Sequence, residues 1–289
     1  MDDELRQVRS AAAALLATPV RRVVRLAGSV ANRDYLIDLA DRDPVVMKLG
    51  PADELAREAW ACRRLSAMGL PVPSVVCASD DGGPLRTPAL VLSLVEGAPD
   101  QRPEVIRSAG AVVRRIHQLP MPGFGPLVAV GGEWRGRYAS WAEAIASAVR
   151  GVPDLIAAGI LDADLARAAV RSATGPLVDF PDGGVLLHRD LKEVHLFGVG
   201  DRLTGLIDWG DTWVGDPLLD LARMSMAPPA VFTSFLEGYD RPSPEDLEAR
   251  LAAYRIGWNL DALGYEYRAG GDWFDVYRGR VVDDVARLA

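Results

Sequence analysis

The apolar pattern of the chain changes near residue 95, and this change limits the folds that the chain can adopt. Between residues 20 and 95, short apolar runs alternate with Gly-, Asp- and Pro-containing turns, which is typical of strands. A helical pattern at residues 54–68 interrupts these runs. After residue 97, apolar residues recur at helical spacing, as in residues 104–119. The sequence therefore predicts an α+β fold with a β-rich first part and a larger, mainly helical second part.

The length of the chain allows these two parts to be separate lobes. The 289 residues are enough for one large domain or two lobes with an ample core. We predict an N-terminal lobe of residues 1–95 and a C-terminal lobe of residues 96–289, with a helical insert at about residues 133–178. The Gly- and Pro-rich residues 120–132 predict a loop, and residues 185–210 predict short strands.

Composition and charge narrow the class of protein. The formal net charge of −8 argues against a nucleic-acid-binding protein, which needs a basic face. The acidic N-terminal residues are unlike the basic start of a signal peptide. No apolar run reaches the roughly 18 residues that cross a membrane. We therefore expect a soluble, cytoplasmic protein that binds neither nucleic acid nor membrane and has no obligate protein partner.

Lysine is almost absent from the chain. Of the 32 basic residues, only Lys48 and Lys192 are lysines, and the others are arginines. A Lys ammonium is a compact donor, whereas an Arg guanidinium is a wide planar fork. We expect each Lys to stand where a site needs a compact cation, the alternative being survival by chance. Lys48 lies in the predicted strand "VVMKL", and Glu54 and Glu58 in the next helix can pair with it.

The stretch "LLHRDLKEVHLFGVGDRLTGLIDWGD", residues 186–211, places two acids after short apolar runs. Asp190 lies on a predicted loop, where a carboxylate can accept a proton from a hydroxyl group. Asp208 ends the run "LTGLID", and a carboxylate there suits Mg²⁺, which binds one or two carboxylates together with substrate phosphates. The alternative interpretation is structural: Asp190 would cap a loop by hydrogen bonds, and Asp208 would be an acid in a turn.

Several motifs occur together and in order between residues 23 and 225. They are "MKL" with "REAWACRRLSAMGLPVP", "RRIHQLP", "HRDLKEVHLF", "GLIDWGD" and "GDPLLDLARM". In this combination the chain resembles the aminoglycoside phosphotransferase family of kinase-like enzymes. The resemblance implies a bilobal, protein-kinase-like fold. It also implies transfer of the γ-phosphate of ATP or GTP, with Mg²⁺, to a hydroxyl of a small molecule.

The resemblance implies a set of nucleotide-binding residues in the first lobe. Lys48 would bind the α- and β-phosphates, with Glu58 as its ion-pair partner. The turn "GSVAN" has one Gly in place of a Gly-rich loop, so Ser29 and nearby amides would cover the phosphates. The backbone of the hinge would bind the purine, and its residues are Ser93, Leu94 and Val95.

The resemblance also implies the catalytic and metal-binding residues. Asp190 would be the base that receives the acceptor hydroxyl, and Lys192 would contact the γ-phosphate. Asp208 would bind Mg²⁺ together with His195, which stands where the family usually has Asn. Because His is a softer ligand than an amide oxygen, a pseudokinase that binds nucleotide without transferring phosphate stays open as an alternative.

Two acids of "GDPLLDLA" are expected to be structural. Asp216 is expected to hold the catalytic loop by hydrogen bonds. Asp220 faces the same side if the stretch is helical, and its alternative is a solvated acid. His117 and His188 are also expected to be structural. The absence of an Ala-Pro-Glu segment after Asp208 favours a small-molecule acceptor over a protein.

Acids in the late helices predict the charge of the acceptor. Asp261 and Glu266 lie among Trp and Tyr residues, and carboxylates in a partly dry cleft bind ammonium groups. We therefore predict a polycationic acceptor, such as an aminoglycoside-type antibiotic. The alternatives are that these acids only solubilise helix faces, or that the acceptor is a macrolide, a peptide antibiotic or an amino alcohol.

Overall fold

A computed structural model describes residues 3–26, 33–175, 178–180, 183–240 and 245–289. The chain forms two compact units. The first contains the residues up to Val105 together with Val194–Asp211, and the second contains Ile106–Glu193 and Thr212–Ala289. The division into lobes at residue 95 stays a prediction. None of the helices within the described ranges is long and apolar enough to cross a membrane.

Five antiparallel strands form the main sheet of the first unit within the described residues, in the order β1-β2-β3-β5-β4. They are β1 (Val20–Arg25), β2 (Arg33–Leu39), β3 (Val45–Leu49), β4 (Val75–Ser79) and β5 (Ala89–Ser93). Every second residue of β2 is buried, as expected for a strand with one face in the core. Strand β3 lies between β2 and β5, so Lys48 stands at the centre of the sheet.

Two helices pack in the first unit. Helix α1 (Asp3–Leu16) contributes Val8, Ala11 and Ala12 to the core beneath the sheet. Helix α2 (Ala52–Ser66) buries the residues that gave the helical pattern, namely Leu55, Ala59, Cys62 and Leu65. The same helix begins with Asp53 and Glu54, whose negative charge suits the positive end of the helix dipole.

A short hairpin in the first unit positions two predicted site residues. It consists of β10 (Leu196–Val199) and β11 (Arg202–Leu206), and β10 also pairs with β6 (Ala98–Pro99). Leu196 lies opposite Leu206 at the open end of the hairpin. His195 directly precedes β10 and Asp208 follows β11 by two residues, so the pairing brings both to the same end.

The second unit is mainly helical, as predicted. Its helices are α3 (Pro103–Ile116), α4 (Trp141–Ala148), α5 (Val152–Ala157), α6 (Ala163–Ala173), α7 (Leu218–Met224), α8 (Pro229–Tyr239), α9 (Leu247–Ala269) and α10 (Phe274–Leu288). One buried apolar cluster joins α5, α6, α9 and α10, with Leu155, Ile256 and Leu263 completely buried. Helix α9 is buried along most of its length and forms the centre of this unit.

The prediction of a loop at residues 120–132 is wrong. Strand β7 (Phe124–Val130) lies within it and forms a hairpin with β8 (Glu133–Tyr138). Gly131 and Gly132 form a two-residue turn, with φ of 61° and 87°, and such a turn favours glycine. Strands β9 (Val185–Leu187) and β12 (Trp213–Gly215) extend the sheet in the order β8-β7-β12-β9. The glycines that suggested a loop are therefore the turn of a hairpin.

Helices α3 and α8 cross at two glycines. A Cβ atom on Gly110 would lie 2.2 Å from the carbonyl oxygen of Phe235. A Cβ atom on Gly238 would lie 1.9 Å from the carbonyl oxygen of Arg107. Both obstacles are backbone atoms, so neither can be relieved by turning a side chain. The two helix backbones therefore pack directly against each other.

We predict that Gly238→Ala lowers the free energy of unfolding by about 1–3 kcal/mol, because the helices must separate to admit a methyl group. The control is Gly279→Ala in α10, where nothing lies within 4 Å of the added Cβ. That variant should be neutral or more stable by up to about 1 kcal/mol, since Ala is the better helix former. Urea denaturation measures both, and equal stability of the two variants would contradict the close crossing.

Candidate active site

Lys48 is the centre of an ionic cluster in the first unit. Its Nζ atom donates to Glu58 Oε2 at 2.6 Å and to Asp208 Oδ1 at 2.8 Å. Lys48 and Glu58 are only 4% and 1% exposed. One residue of the cluster comes from strand β3, one from helix α2 and one from the segment after β11. Of the two acids considered for Lys48, Glu58 is therefore the one that makes the ion pair.

The cluster keeps Lys48 protonated. Burial on its own would lower the pKa of Lys48, but the nearby carboxylates of Glu58, Asp208 and Asp34 more than offset this and raise it. Burial also raises the pKa of Glu58, and the Lys48 ammonium opposes that shift. The ionised form of each of these two buried side chains is therefore stabilised by the charge of the other. Loss of either Lys48 or Glu58 would leave an uncompensated charge in the interior.

Asp34 is a member of this cluster that sequence reasoning missed. It lies directly opposite Lys48 in the pairing of β2 with β3. Burial raises the pKa of Asp34, and its buried Oδ1 atom has no hydrogen-bond partner within the described residues. The signal in the sequence was an acid at an alternating position of a strand. Its closeness to Lys48 depends on the strand register, which the sequence does not show.

His195 and Asp208 lie at the open end of the β10–β11 hairpin. His195 Nε2 is 3.4 Å from Asp208 Oδ2, while Oδ1 of the same carboxylate binds Lys48. Neighbouring ligands of an octahedral Mg²⁺ lie about 3 Å apart when the bonds are about 2.1 Å long. A carboxylate oxygen and an imidazole nitrogen at this separation therefore fit a divalent cation, with the oxygen as the harder ligand.

The residues around Asp208 hold its backbone in an uncommon conformation. Asp208 has φ of 71°, in the left-handed region that few residues other than glycine adopt. Trp209 is completely buried and donates from Nε1 to the carbonyl oxygen of Leu206 at 2.9 Å. Arg57 of α2 donates from Nε to the carbonyl oxygen of Gly210, also at 2.9 Å. These contacts on both sides offset the strain at Asp208.

Asp190 and Lys192 form an ion pair in the second unit. Lys192 Nζ donates to Asp190 Oδ2 at 2.8 Å, and Arg223 Nε donates to Asp190 Oδ1 at 2.9 Å. Arg223 in turn lies over the ring of Trp258, with its Cζ atom 4.3 Å from the ring centre. Arg223 was missed by sequence reasoning. The two cations fix the orientation of the Asp190 carboxylate.

Asp220 holds the backbone of the loop that carries Asp190. It accepts hydrogen bonds from the backbone N–H groups of His188 and Arg189, at 2.8 and 2.6 Å, and lies 3.0 Å from His117 Nε2. Burial acts to raise the pKa of Asp220, but the hydrogen bond and charge of His117 help to hold it below its usual value. Asp220 is completely buried, so its interpretation as a solvated acid is wrong.

Asp216 has partners in α7 and α9. It accepts a hydrogen bond from the Tyr254 hydroxyl at 2.6 Å and from the backbone N–H of Leu218 at 2.9 Å. Tyr254 also accepts from Trp141 Nε1 at 3.0 Å. Asp216 therefore connects the start of α7 to α9 and α4, while Asp220 makes the backbone hydrogen bonds to the catalytic loop.

The two predicted acceptor-binding acids of α9 have different surroundings. Asp261 is 33% exposed in its side chain and binds the guanidinium of Arg189. Arg189 itself lies on the catalytic loop and has φ of 69°. Glu266 is only 5% exposed, and its Oε2 atom lies 3.5 Å from the backbone nitrogen of Trp273. Asp261 is thus close to the catalytic loop, whereas Glu266 packs within the turn between α9 and α10.

The predicted hinge follows β5. Ser93 lies opposite Val45, and its hydroxyl accepts from the backbone N–H of Ser74 at 2.9 Å. Leu94 is exposed, and Val95 packs against Gly205. The hinge thus lies beside the start of the strand that carries Lys48. Ser29, the predicted phosphate-covering residue, lies outside the described residues.

The chain is similar to known phosphotransferases over nearly its whole length. The model of the APH family, described as "Phosphotransferase enzyme family", matches residues 22–264. A relative in Escherichia coli, hygromycin-B 4-O-kinase, is 23% identical over 270 residues, which are 89% of this chain and 77% of the relative.

Solved structures show the same fold. An aminoglycoside phosphotransferase APH(4)-Ia in ternary complex with AMP-PNP and hygromycin B has a TM-score of 0.77 at 20% identity, covering 97% of this chain and 98% of that chain. A Thermobifida fusca protein provisionally named fructosamine-3-kinase has a TM-score of 0.76 at 21% identity, with the same coverage. These likenesses confirm the predicted protein-kinase-like α+β fold.

The family model covers most of the chain, and the ordered motifs around Lys48, Asp190 and Asp208 lie within the matched residues. The resemblance deduced from those motifs is therefore confirmed, and the chain belongs to the APH phosphotransferase enzyme family.

Proposed function

We propose that the protein transfers the γ-phosphate of a nucleoside triphosphate to a hydroxyl group of a small molecule, in the first place an aminoglycoside-type antibiotic. The observation that carries this proposal is the Glu58–Lys48–Asp208 cluster, in which buried Lys48 donates bonds of 2.6 and 2.8 Å to buried Glu58 and to partly exposed Asp208. A compact cation beside a carboxylate is the arrangement that kinase-like enzymes use for phosphates and metal. The relative named hygromycin-B 4-O-kinase supports the choice of acceptor.

The roles proposed for the residues that would bind the nucleotide and the metal follow from the charges of their side chains. Lys48 neutralises phosphate oxygens, and Glu58 keeps its ammonium in place. Asp208 Oδ2 and His195 Nε2 would hold Mg²⁺, which would neutralise charge on the phosphates and orient them. Solved relatives in complex with AMP-PNP and with GDP support a nucleotide substrate without deciding between ATP and GTP.

The proposed role of Asp190 is to orient the acceptor hydroxyl and take its proton. The hydroxyl oxygen forms a bond to the γ-phosphorus while the bond from that phosphorus to the nucleoside diphosphate breaks. The proton of the hydroxyl passes to the Asp190 carboxylate. Lys192 is bonded to Asp190 and supplies positive charge for the transferred phosphate. Arg223 holds the carboxylate in its orientation.

A second candidate is a kinase of another small acceptor, such as a macrolide, a peptide antibiotic or an amino alcohol. The observation in its favour concerns the acids predicted to bind a polycation. Asp261 is already paired with Arg189, and Glu266 is almost completely buried. An acceptor panel with labelled ATP and GTP separates the candidates. Nucleotide binding without transfer to any acceptor would favour the pseudokinase.

The first prediction concerns the base. Asp190→Asn keeps the shape of the side chain and removes the proton acceptor, so kcat should fall by roughly 10²–10⁴-fold. The nucleotide dissociation constant should stay nearly unchanged. The exposed acid Asp164 offers a control, because Asp164→Asn should not affect either quantity. Steady-state kinetics and nucleotide titration measure both, and an Asp190→Asn enzyme with most of its turnover would remove Asp190 from the mechanism.

The second prediction concerns the metal pair. His195→Asn should preserve or raise activity with Mg²⁺, because an amide oxygen is a harder ligand than an imidazole. For the same reason, the ratio of activity with Mn²⁺ to activity with Mg²⁺ should be higher in the natural enzyme than in the variant. Asp208→Ala should abolish transfer. A folded but inactive His195→Asn enzyme would show that His195 has a role other than that of a metal ligand.

The third prediction concerns the acceptor. A polycationic aminoglycoside should have a KM that rises with salt, because ions screen its attraction to carboxylates. Asp261→Asn or Glu266→Gln should raise this KM further and leave nucleotide binding unchanged. Asp275→Asn, which alters an exposed acid paired with Arg278, is the control. Efficient phosphorylation of a neutral macrolide, with no activity on any polycation, would refute the assignment.

A further inference from the structure

A cavity lies in the second unit, where the residues after α7 meet α8, α9 and α10. Its volume is about 380 Å³, which is in the range of small-molecule sites. Met226, Ala227 and Phe232 form an apolar wall. Arg280 and Asn259 are among the polar residues that line it. The cavity thus combines an apolar surface with a few polar groups, as ligand sites usually do.

Arg280 is a half-buried cation of this cavity that forms no salt bridge with any of the described residues. Its Nη1 atom lies 3.9 Å from the sulfur of Met226, and no acid lies within salt-bridge distance in the described part of the chain. Arg223 Nη1 approaches the same sulfur at 4.0 Å, and Arg223 shares its partner Asp190 with Lys192. Burial, and then repulsion by Arg223, lower the pKa of Arg280, while Tyr277 and the Glu193 carboxylate act in the opposite direction. A bound anion would relieve both effects.

The other charges of the cavity largely cancel one another. Arg255 binds both carboxylate oxygens of Asp284 from Nε and also binds Glu248 at 2.8 Å. Arg287 contacts the same two acids, at 3.4 and 3.6 Å. The remaining acid, Asp283, is exposed, so water and salt weaken its field. The uncompensated charge in the partly buried region is therefore positive.

Asn259 supplies a second, independent observation. It is completely buried and lines the cavity. Its Nδ2 atom donates to the carbonyl oxygen of Arg255 at 2.7 Å, which fixes the orientation of the amide. Its Oδ1 atom has no hydrogen-bond partner within the described ranges. A buried acceptor without a donor is costly, and a ligand hydroxyl can supply the missing donor.

We propose that this cavity binds a hydroxylated small molecule with one anionic group, a carboxylate or a phosphate, and that Arg280 holds the anion. The Oδ1 atom of Asn259 accepts from a hydroxyl of the same molecule. The proposal goes beyond the phosphotransferase reaction, because Arg280 and Asn259 have no part in the reaction proposed above. The charge of this ligand is negative, whereas that of the polycationic acceptor proposed above is positive.

Four probes with one six-carbon polyol skeleton test the charge preference. They are gluconate, sorbitol 6-phosphate, sorbitol and glucamine, which carry a carboxylate, a phosphate, no charge and an ammonium. Isothermal titration of the full chain without nucleotide should show that one or both anions bind about tenfold or more tightly than sorbitol and glucamine. The relative affinity of the two anions shows whether a carboxylate or a phosphate is preferred.

Two variants of neighbouring arginines in α10 test the role of Arg280. Arg280→Gln should remove the preference for the anions and leave the affinity for sorbitol unchanged. Arg278→Gln is the matched control, because Arg278 is exposed and paired with Asp275, and it should bind like the natural protein. Asn259→Leu should weaken the binding of sorbitol and both anions alike. Circular dichroism verifies that each variant is folded.

Three results would overturn the proposal: sorbitol or glucamine binding as tightly as the anions, equal anion affinity of the two Arg variants, or no saturable binding of any probe. The phosphotransferase proposal is tested separately, because the titrations contain no nucleotide. Anion binding by a protein that phosphorylates no acceptor would refute the reaction and leave the cavity site standing. Phosphorylation by a protein that binds none of the four probes would do the reverse.

Discussion

The structure of the first unit depends on one buried ammonium group. Lys48 bonds to Glu58 and Asp208, and Asp34 faces it from the neighbouring strand. Removing a carboxylate or an ammonium from water is costly, so the two buried members, Lys48 and Glu58, each need the other. The central strand, helix α2 and the turn after β11 therefore have to meet at one point. One of the two lysines of the chain stands at this point, and its compact ammonium donates to both carboxylates from a single nitrogen.

The second unit uses buried acids in another way. Asp220 is surrounded by donors and fixes the backbone of residues 188 and 189, while Asp216 joins three helices through Tyr254. Both acids are buried, and each accepts hydrogen bonds from at least two protein donors. The carboxylate of Asp190 is different, since it is partly exposed and held by two cations. The same residue type thus serves as a fixed support at two positions and as an accessible group at a third.

Much of the fold could be predicted from the sequence, because periodicity is local. The strands before residue 95, the buried face of α2 and the late helices follow from it. The β7–β8 hairpin was missed, since two adjacent glycines are as typical of a loop as of a tight turn. Lys48, Glu58, Asp190 and Asp208 could be proposed as site residues because ordered motifs carry them. Asp34 and Arg223 were missed and the role of Asp220 was left open, because strand register and helix packing, which are not local, decide their neighbours.

In the β10–β11 hairpin, the distance between two site side chains does not depend on the number of residues between them in the sequence. His195 and Asp208 are neighbours because Leu196 pairs with Leu206, and this pairing lies at the open end of the hairpin. The turn near Gly200 is at the other end, so extra residues there would lengthen the hairpin without moving either side chain. A search for relatives that fixes the number of residues between the two motifs would therefore reject proteins whose sites have the same geometry.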